Sequence, residues 1–260
     1  MASIFPRSVV TVKVWDRFAR CAGGGTFPVM TDSESLKRAA ASEAVALVED
    51  GMVLGLGTGS TVAHFLDLLG RKIQAGDLRD IVGVPSSIRT GREARQAGIE
   101  LTSLGERPRL DLTVDGADEV SPTLDLIKGM GGALLREKML AQASDRFVII
   151  ADAGKWVERL GTLSPLPVEV VDWGWSGHVA FLEAWGARVS VRAFDDGPPF
   201  KSDNGNLILD CVFPQGIEDP VALNAGLKAR AGVVETGLFL GLATAAILAG
   251  PEGITHRRPR

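Results

Sequence analysis

Cysteine, histidine and long apolar runs are all scarce in this chain of 260 residues, and each scarcity excludes a class of function. Its only cysteines, Cys21 and Cys211, are too few for a disulfide framework or a thiolate metal cluster. Its histidines, His64, His178 and His256, are scattered without ligand-like spacing, so no metal is expected. A basic excess is missing too: the formal charge of −4 argues against a nucleic-acid surface. Thr236 to Pro251 carries no charge, but it is shorter than a membrane-spanning helix and is interrupted by Gly237, Gly241 and Gly250. What is present is ordinary globular composition, with 45% hydrophobic and 23% charged residues, enough core for one large domain or two small ones. The expectation is a cytoplasmic enzyme or binding protein that engages neither nucleic acid nor membrane.

Residues 1–31 differ from the rest. Arg7, Lys13, Arg17 and Arg20 stand there against Asp16 alone, without the apolar core of a secretory signal. An organelle-targeting leader and an extension preceding a start at Met30 both fit. Either way the segment is expected to be poorly ordered and is set apart from the fold.

From there, strands and helices alternate. Thr31 and Glu34 have capping-box spacing, and Leu36, Ala40, Ala44, Leu47 and Val48 form a helical stripe. Met52 to Leu56 reads as a buried strand, followed by GLGTGST (Gly55 to Thr61) and a helix with Val62, Phe65, Leu66 and Leu69 on one face. Ile81 to Val84 is a strand ending in the hydroxyl-rich loop Ser86, Ser87 and Thr90, and a helix follows to Ala97. Leu110 to Val114 delivers Asp115; a helix begins at Ala133 with Leu134, Leu135, Met139 and Leu140 on its buried side; Phe147 to Ala151 is the next strand. This alternation predicts an α/β fold with a Rossmann-like parallel sheet.

Near Leu163 the pattern changes. Strands at 168–171, 189–191, 207–213 and 233–239, with helices at 176–185 and 220–229, give the order β-α-β-β-α-β of a ferredoxin-like α+β unit. Asp203-Asn204-Gly205 supplies a hairpin turn before the third strand, and Asp219 with Pro220 opens the second helix. The run Thr244 to Leu248 then returns to the large sheet. Residues 32–161 plus 237–260 are thus expected to form an α/β domain, interrupted by a small domain at 162–236.

Chemistry concentrates in three loops after strands. The glycines of GLGTGST fail the dinucleotide spacing, and the loop lacks a nucleotide-binding lysine. Its N–H groups and the hydroxyls of Thr58, Ser60 and Thr61 suit one phosphate, or the loop is a plain strand–helix connection. Asp115 and Asp118 suit proton transfer or metal binding, or act only as cap and turn. In KGMGGALLREK (Lys128 to Lys138) the glycines allow a tight turn, Lys128 can stabilise an oxyanion, and Glu137 is either functional or a solvated helix position. Lys155, the last residue of ADAGK, pairs with a phosphate or faces water, and His64 reads as structural.

Taken in order and spacing, GLGTGST, DGADEV (Asp115 to Val120), KGMGGALLREK and ADAGK closely resemble ribose-5-phosphate isomerase of the A type. The likeness continues through PLPVEVV, SDNGNLILD and GVVETGLF, covering about residues 32 to 255. Departures are Met130 in the glycine turn, the stretch Trp173 to His178, and Thr244 in place of an expected aspartate.

The resemblance implies cofactor-free interconversion of ribose 5-phosphate and ribulose 5-phosphate through a cis-enediolate, in the non-oxidative pentose phosphate pathway. It implies Glu137 as the proton-shuttling base, with Lys128, Asp115 and Asp118 around the enediolate and Asp115 moving the ring-opening proton. It places the sugar phosphate on Thr58, Gly59, Ser60 and Thr61, on Asp115, Gly116, Ala117 and Asp118, and on Lys128, Gly129, Met130 and Gly131. Lys155 assists at the phosphate end, with Lys37, Ser86 and Ser87 as further candidates. A homodimer or homotetramer is what the family would form. A sugar-phosphate sensor and a thioester-dependent transferase are the rival readings.

Overall fold

The computed structural model describes residues 32–193 and 197–259. The N-terminal extension, with Cys21 and with Thr31 of the expected capping box, lies outside the described residues. The first helix, α1 (Ser33–Val45), is capped by Asp32 instead, whose carboxylate accepts the Ser35 N–H at 2.9 Å. After it come β1 (Val53–Leu56), α2 (Ser60–Gln74), β2 (Val82–Pro85), α3 (Ile88–Gln96), β3 (Glu100–Leu101) and β4 (Leu112–Asp115). The short strands β5 (Glu119–Val120) and β6 (Leu126–Ile127) precede α4 (Leu134–Ala143) and β7 (Phe147–Asp152). The chain continues through β8 (Leu166–Val170), α5 (Val179–Ala184), β9 (Arg188–Val191), β10 (Leu207–Val212), α6 (Pro220–Lys228) and β11 (Val233–Thr236). It closes with β12 (Leu238–Phe239), β13 (Ala245–Gly250) and β14 (Gly253–Arg257).

The large sheet has the order β14-β13-β7-β4-β1-β2-β3 and is parallel except for β14, which pairs antiparallel with β13. Its central strands are buried on both faces, so alternate residues enter different cores. Val148 and Ile150 of β7 pack with Leu54, Leu56, Phe65 and the alanines of α1. Phe147 and Ile149 pack on the other side with Leu134 and Phe239. Among the described residues no helix is long and apolar enough to cross a membrane.

The second sheet is antiparallel in the order β11-β8-β10-β9, and its elements follow the β-α-β-β-α-β order along the chain. Leu166, Val168, Leu207 and Leu209 pack there against Leu182, Leu223 and Leu227. The turn at Asn204-Gly205 forms as expected, with Ser202 N–H donating to Asn206 O at 2.9 Å.

Three expectations need correction. Met139 is 47% exposed, and the buried side of α4 carries Glu137 and Lys138 beside Leu134 and Leu140. The strand expected over 233–239 breaks at Gly237, and β12 leaves to pair with β6 in a three-stranded sheet with β5. A Cβ at Gly237 would lie 2.4 Å from Lys128 O, so only glycine lets the chain cross there. Finally, β3, β5, β6 and β14 were not expected, because two-residue strands and an edge hairpin leave little periodic trace.

Candidate active site

Parallel strands bring the loops at their carboxyl ends to one edge of the sheet. Leu56 is in register with Val114 and with Pro85, so the turn after β1 lies beside Asp115 and beside Ser86. Asp115 is the last residue of β4 and is wholly buried. Its Oδ1 accepts the N–H of Thr58 at 3.1 Å and of Gly116 at 2.8 Å. A Cβ on Gly57 would fall 2.1 Å from the Asp115 Cγ, so this glycine is what lets β1 approach the carboxylate.

Lys128 follows β6, and its ammonium is buried between acids. It donates to Gly116 O at 2.7 Å and stands 3.0 Å from Asp115 Oδ2 and 3.3 Å from Glu137 Oε2. Glu137 projects from the first turn of α4 into the same space, 97% of its surface covered. Asp118 lies in the loop after β4, where its Oδ2 accepts the Met130 N–H at 3.1 Å. That bond ties the aspartate loop to the glycine turn.

One ammonium thus faces two fully buried carboxylates. Burial and the neighbouring Asp115 charge push Glu137 up to about 8, against the pull of Lys128. Asp115 is also raised, by burial, with Lys128 and two N–H bonds opposing the shift. Burial would lower Lys128, but the Asp115 and Glu137 charges prevail and hold it above its ordinary value. Two carboxylates and one lysine in a dry site retain a proton between them. Asp115 accepts two N–H bonds and has the closer lysine contact at 3.0 Å, whereas Glu137 is met only by Lys128 at 3.3 Å and by no backbone N–H among the described residues. Of the two carboxylates, Glu137 is therefore the one that holds the proton more readily, a carboxyl that titrates close to neutrality.

Beside this group is a knot of hydroxyls. Thr58 Oγ1 lies 2.8 to 2.9 Å from Ser86 Oγ, Ser87 Oγ and Thr90 Oγ1, and Thr90 Oγ1 donates to Gly57 O at 2.8 Å. Ser87 caps α3 by accepting the Thr90 N–H. Gly59 at the start of α2 has φ +138° and offers no side-chain cap, and no acid occupies the first turn. The helix start is left with N–H groups and the hydroxyls of Ser60 and Thr61.

Not every sequence candidate joins the cluster. Lys155 ends a single 3₁₀ turn after β7, on the same edge of the sheet, and makes no ion pair among the described residues. Met130 and Gly131 are exposed on the glycine turn, and Gly116 and Ala117 are half-buried beside Asp115. Lys37 is engaged elsewhere, donating to Glu34 Oε1 at 2.7 Å, with His64 on the other oxygen of the same carboxylate.

The family described as ribose 5-phosphate isomerase A (phosphoriboisomerase A) matches residues 82–253. The chain belongs to the ribose 5-phosphate isomerase A family. A family member from Chloroflexus aurantiacus is 54% identical over 87% of this chain and 94% of its own length. A relative described as probable ribose-5-phosphate isomerase 3, chloroplastic, from Arabidopsis thaliana is 46% identical over 87% of this chain and 84% of its own. A solved D-ribose-5-phosphate isomerase in complex with phospho-erythronic acid superposes with a TM-score of 0.85 at 39% identity, covering 88% of this chain and 100% of that one. The isomerase from Methanocaldococcus jannaschii gives 0.82 at 37% identity, covering 86% and 99%. This chain is therefore an isomerase of that family with an α/β fold.

Sequence reasoning within the family missed Lys138, Arg192, Glu235 and Phe239. Arg192 donates to Gly129 O at 2.8 Å and Met130 O at 2.9 Å while paired with Asp210, so it buttresses the glycine turn from the second sheet. Lys128 and Lys138 lie 5.4 and 4.7 Å from the Phe239 ring centre. None of these contacts leaves a local signature, because the partners are distant in the chain.

Proposed function

We propose that the chain interconverts D-ribose 5-phosphate and D-ribulose 5-phosphate through a cis-enediolate, with Glu137 as the base that shuttles the proton. The observation that carries this is the convergence of Glu137, Lys128 and Asp115 within one buried cluster. In the aldose direction Glu137 removes the proton on C2, and the electron pair moves toward the C1 carbonyl. The oxygen that gains charge is met by the Lys128 ammonium. A proton then passes from O2 to O1, and Glu137 returns its proton to C1, which leaves the carbonyl at C2. Such general-base transfer contributes about 10² to 10⁴ in rate. Oriented cationic and N–H donors around the developing charge contribute about 3 kcal/mol each.

The closed ring must open first, and Asp115 is our candidate for moving that proton, with Asp118 ordering the glycine turn beside it. The start of α2, with Thr58 to Thr61 and Lys155 at the same sheet edge, suits the phosphate. The phospho-erythronic acid of a structural neighbour is an acidic sugar-phosphate analogue, the kind of ligand that such a site accepts.

We also read residues 162–236 as a small domain inserted into a catalytic domain of 32–161 plus 237–260. A homodimer or homotetramer in the cytoplasm, serving the non-oxidative pentose phosphate pathway, completes the reading; sedimentation of the purified protein tests the assembly. The reaction is tested with ribose 5-phosphate in deuterated water. Ribulose 5-phosphate should form with solvent deuterium on C1 in at least a fraction of turnovers. No ketose product at all would end the proposal.

A further inference from the structure

Lys138 is the one buried ammonium near the site that the chemistry above leaves unused among the described residues. It follows Glu137 on α4, and its Nζ donates to Glu235 Oε1 at 2.8 Å and to Thr236 O at 2.7 Å. The same stretch of chain holds Lys128, whose N–H donates to Gly237 O at 2.9 Å. Phe239, two residues on, is flanked by both ammonium groups. The base and the cation of the site are thus both tethered to the crossing at Glu235–Gly237, where the chain leaves one sheet for another.

An apolar side chain in place of a buried ion pair is commonly as stable or more so, so stability alone does not explain an ammonium here. Burial pulls Lys138 down to about 8 even with Glu235 beside it, which marks its charge as costly to keep. What the ammonium adds is direction: several donors aimed at a fixed carboxylate and a fixed carbonyl.

We propose that Lys138 is a positioning residue for Glu137, setting α4 against the Glu235–Gly237 crossing so that the Glu137 carboxylate stays dry and beside Lys128. This rests on the reading of Glu137 as the base. The charged groups bearing on Glu137 are Asp115, Asp118 and Lys128, and those bearing on Lys138 are Glu235 and Lys228. Lys138 does not act on Glu137 through its charge; it acts through the helix.

Lys138→Met tests this in the full chain with ribose 5-phosphate. Freed from the crossing, the first turn of α4 admits water, and the burial that raises Glu137 is relieved. The acid limb of the kcat–pH profile should then move to lower pH by about one unit or more. Meanwhile kcat should fall about tenfold or more while KM changes less than about threefold. If Lys138→Met does not fold, the double variant Lys138→Met/Glu235→Leu replaces the pair with apolar side chains and carries the same test. An acid limb that stays at its wild-type position in the folded variant overturns the proposal, whatever happens to kcat or to the melting temperature. Glu137→Gln, run in parallel, separates the two layers: turnover that survives there refutes the reading of the base and the proposal with it, whereas turnover lost there with an unmoved acid limb in Lys138→Met refutes the role of Lys138 alone.

Discussion

The Lys128 ammonium and the Glu137 carboxylate stand 3.3 Å apart with 3% of either side chain exposed, although Asp115 holds the same lysine more closely at 3.0 Å. Glu137 is therefore the weaker partner of a shared cation, buried but poorly compensated. That imbalance raises its carboxyl to about 8, so that it holds a proton near neutrality.

Glu137→Gln keeps the shape of the protonated acid and removes the proposed base. It should lower kcat by about 10² to 10⁴. Binding of phospho-erythronic acid, measured by calorimetry, should stay within about threefold of wild type, because the variant retains the neutral form that already predominates. A large loss of binding would mean that Glu137 holds the ligand instead.

The activity of the free protein should rise with pH as Glu137 loses its proton, with the limb of kcat/KM centred about 8. Asp115→Asn removes the like charge and should move that limb to lower pH. Stability should show the opposite trend. Glu137 is raised from 4.5 to about 8 on folding, so the folded chain binds the extra proton across that window. Its contribution is fully present below 4.5 and is lost as pH rises through about 8. Urea denaturation at several pH values should show this slope in the wild type and a flatter one in Glu137→Gln.

Lys128→Met leaves Asp115 and Glu137 facing each other without a cation. The barrier should rise by about 3 kcal/mol, a loss in kcat of about a hundredfold or more. Orphaning a buried carboxylate should also cost about 3–5 kcal/mol of folding stability, read by chemical denaturation.

Gly57→Ala tests the approach of β1 to Asp115. The added methyl would lie 2.1 Å from Asp115 Cγ, so the carboxylate must move off its N–H donors. Overpacking of this kind costs about 1–3 kcal/mol, and kcat should fall although the substituted residue carries no functional group. A fully active variant would show that Asp115 is not held in one place for the chemistry.

Because Lys128 already supplies the cation between the carboxylates, prolonged treatment with a chelator should leave kcat and KM unchanged. Inhibition that added divalent metal reverses would overturn the metal-free scheme.

How much of this could be read from the chain depends on the range of the interaction. The periodicity of Leu36 to Val48 and of Val62 to Leu69 marks helices, because a helix writes its buried face into nearby positions. The glycine loops and Asp115 are legible for a similar reason, since each closes an apolar strand. Glu137 was not legible by pattern alone. Between Arg136 and Lys138 it reads as either functional or a solvated position, while Met139 reads as core. In the fold Met139 faces out and Glu137 and Lys138 face in, because Lys128, Glu235 and the carbonyl of Thr236 are there to meet them. The break at Gly237 is similar: 233–239 looks like one strand, and only the closeness of the Lys128 carbonyl shows why the residue there must lack a side chain.

The sequence by itself determined the alternation of strands and helices, the loops that carry the chemistry and the kind of side chains that they deliver. Only the tertiary structure decided which of those side chains share a proton, because burial and the distances among Asp115, Lys128 and Glu137 depend on strands and a helix brought together from distant parts of the chain.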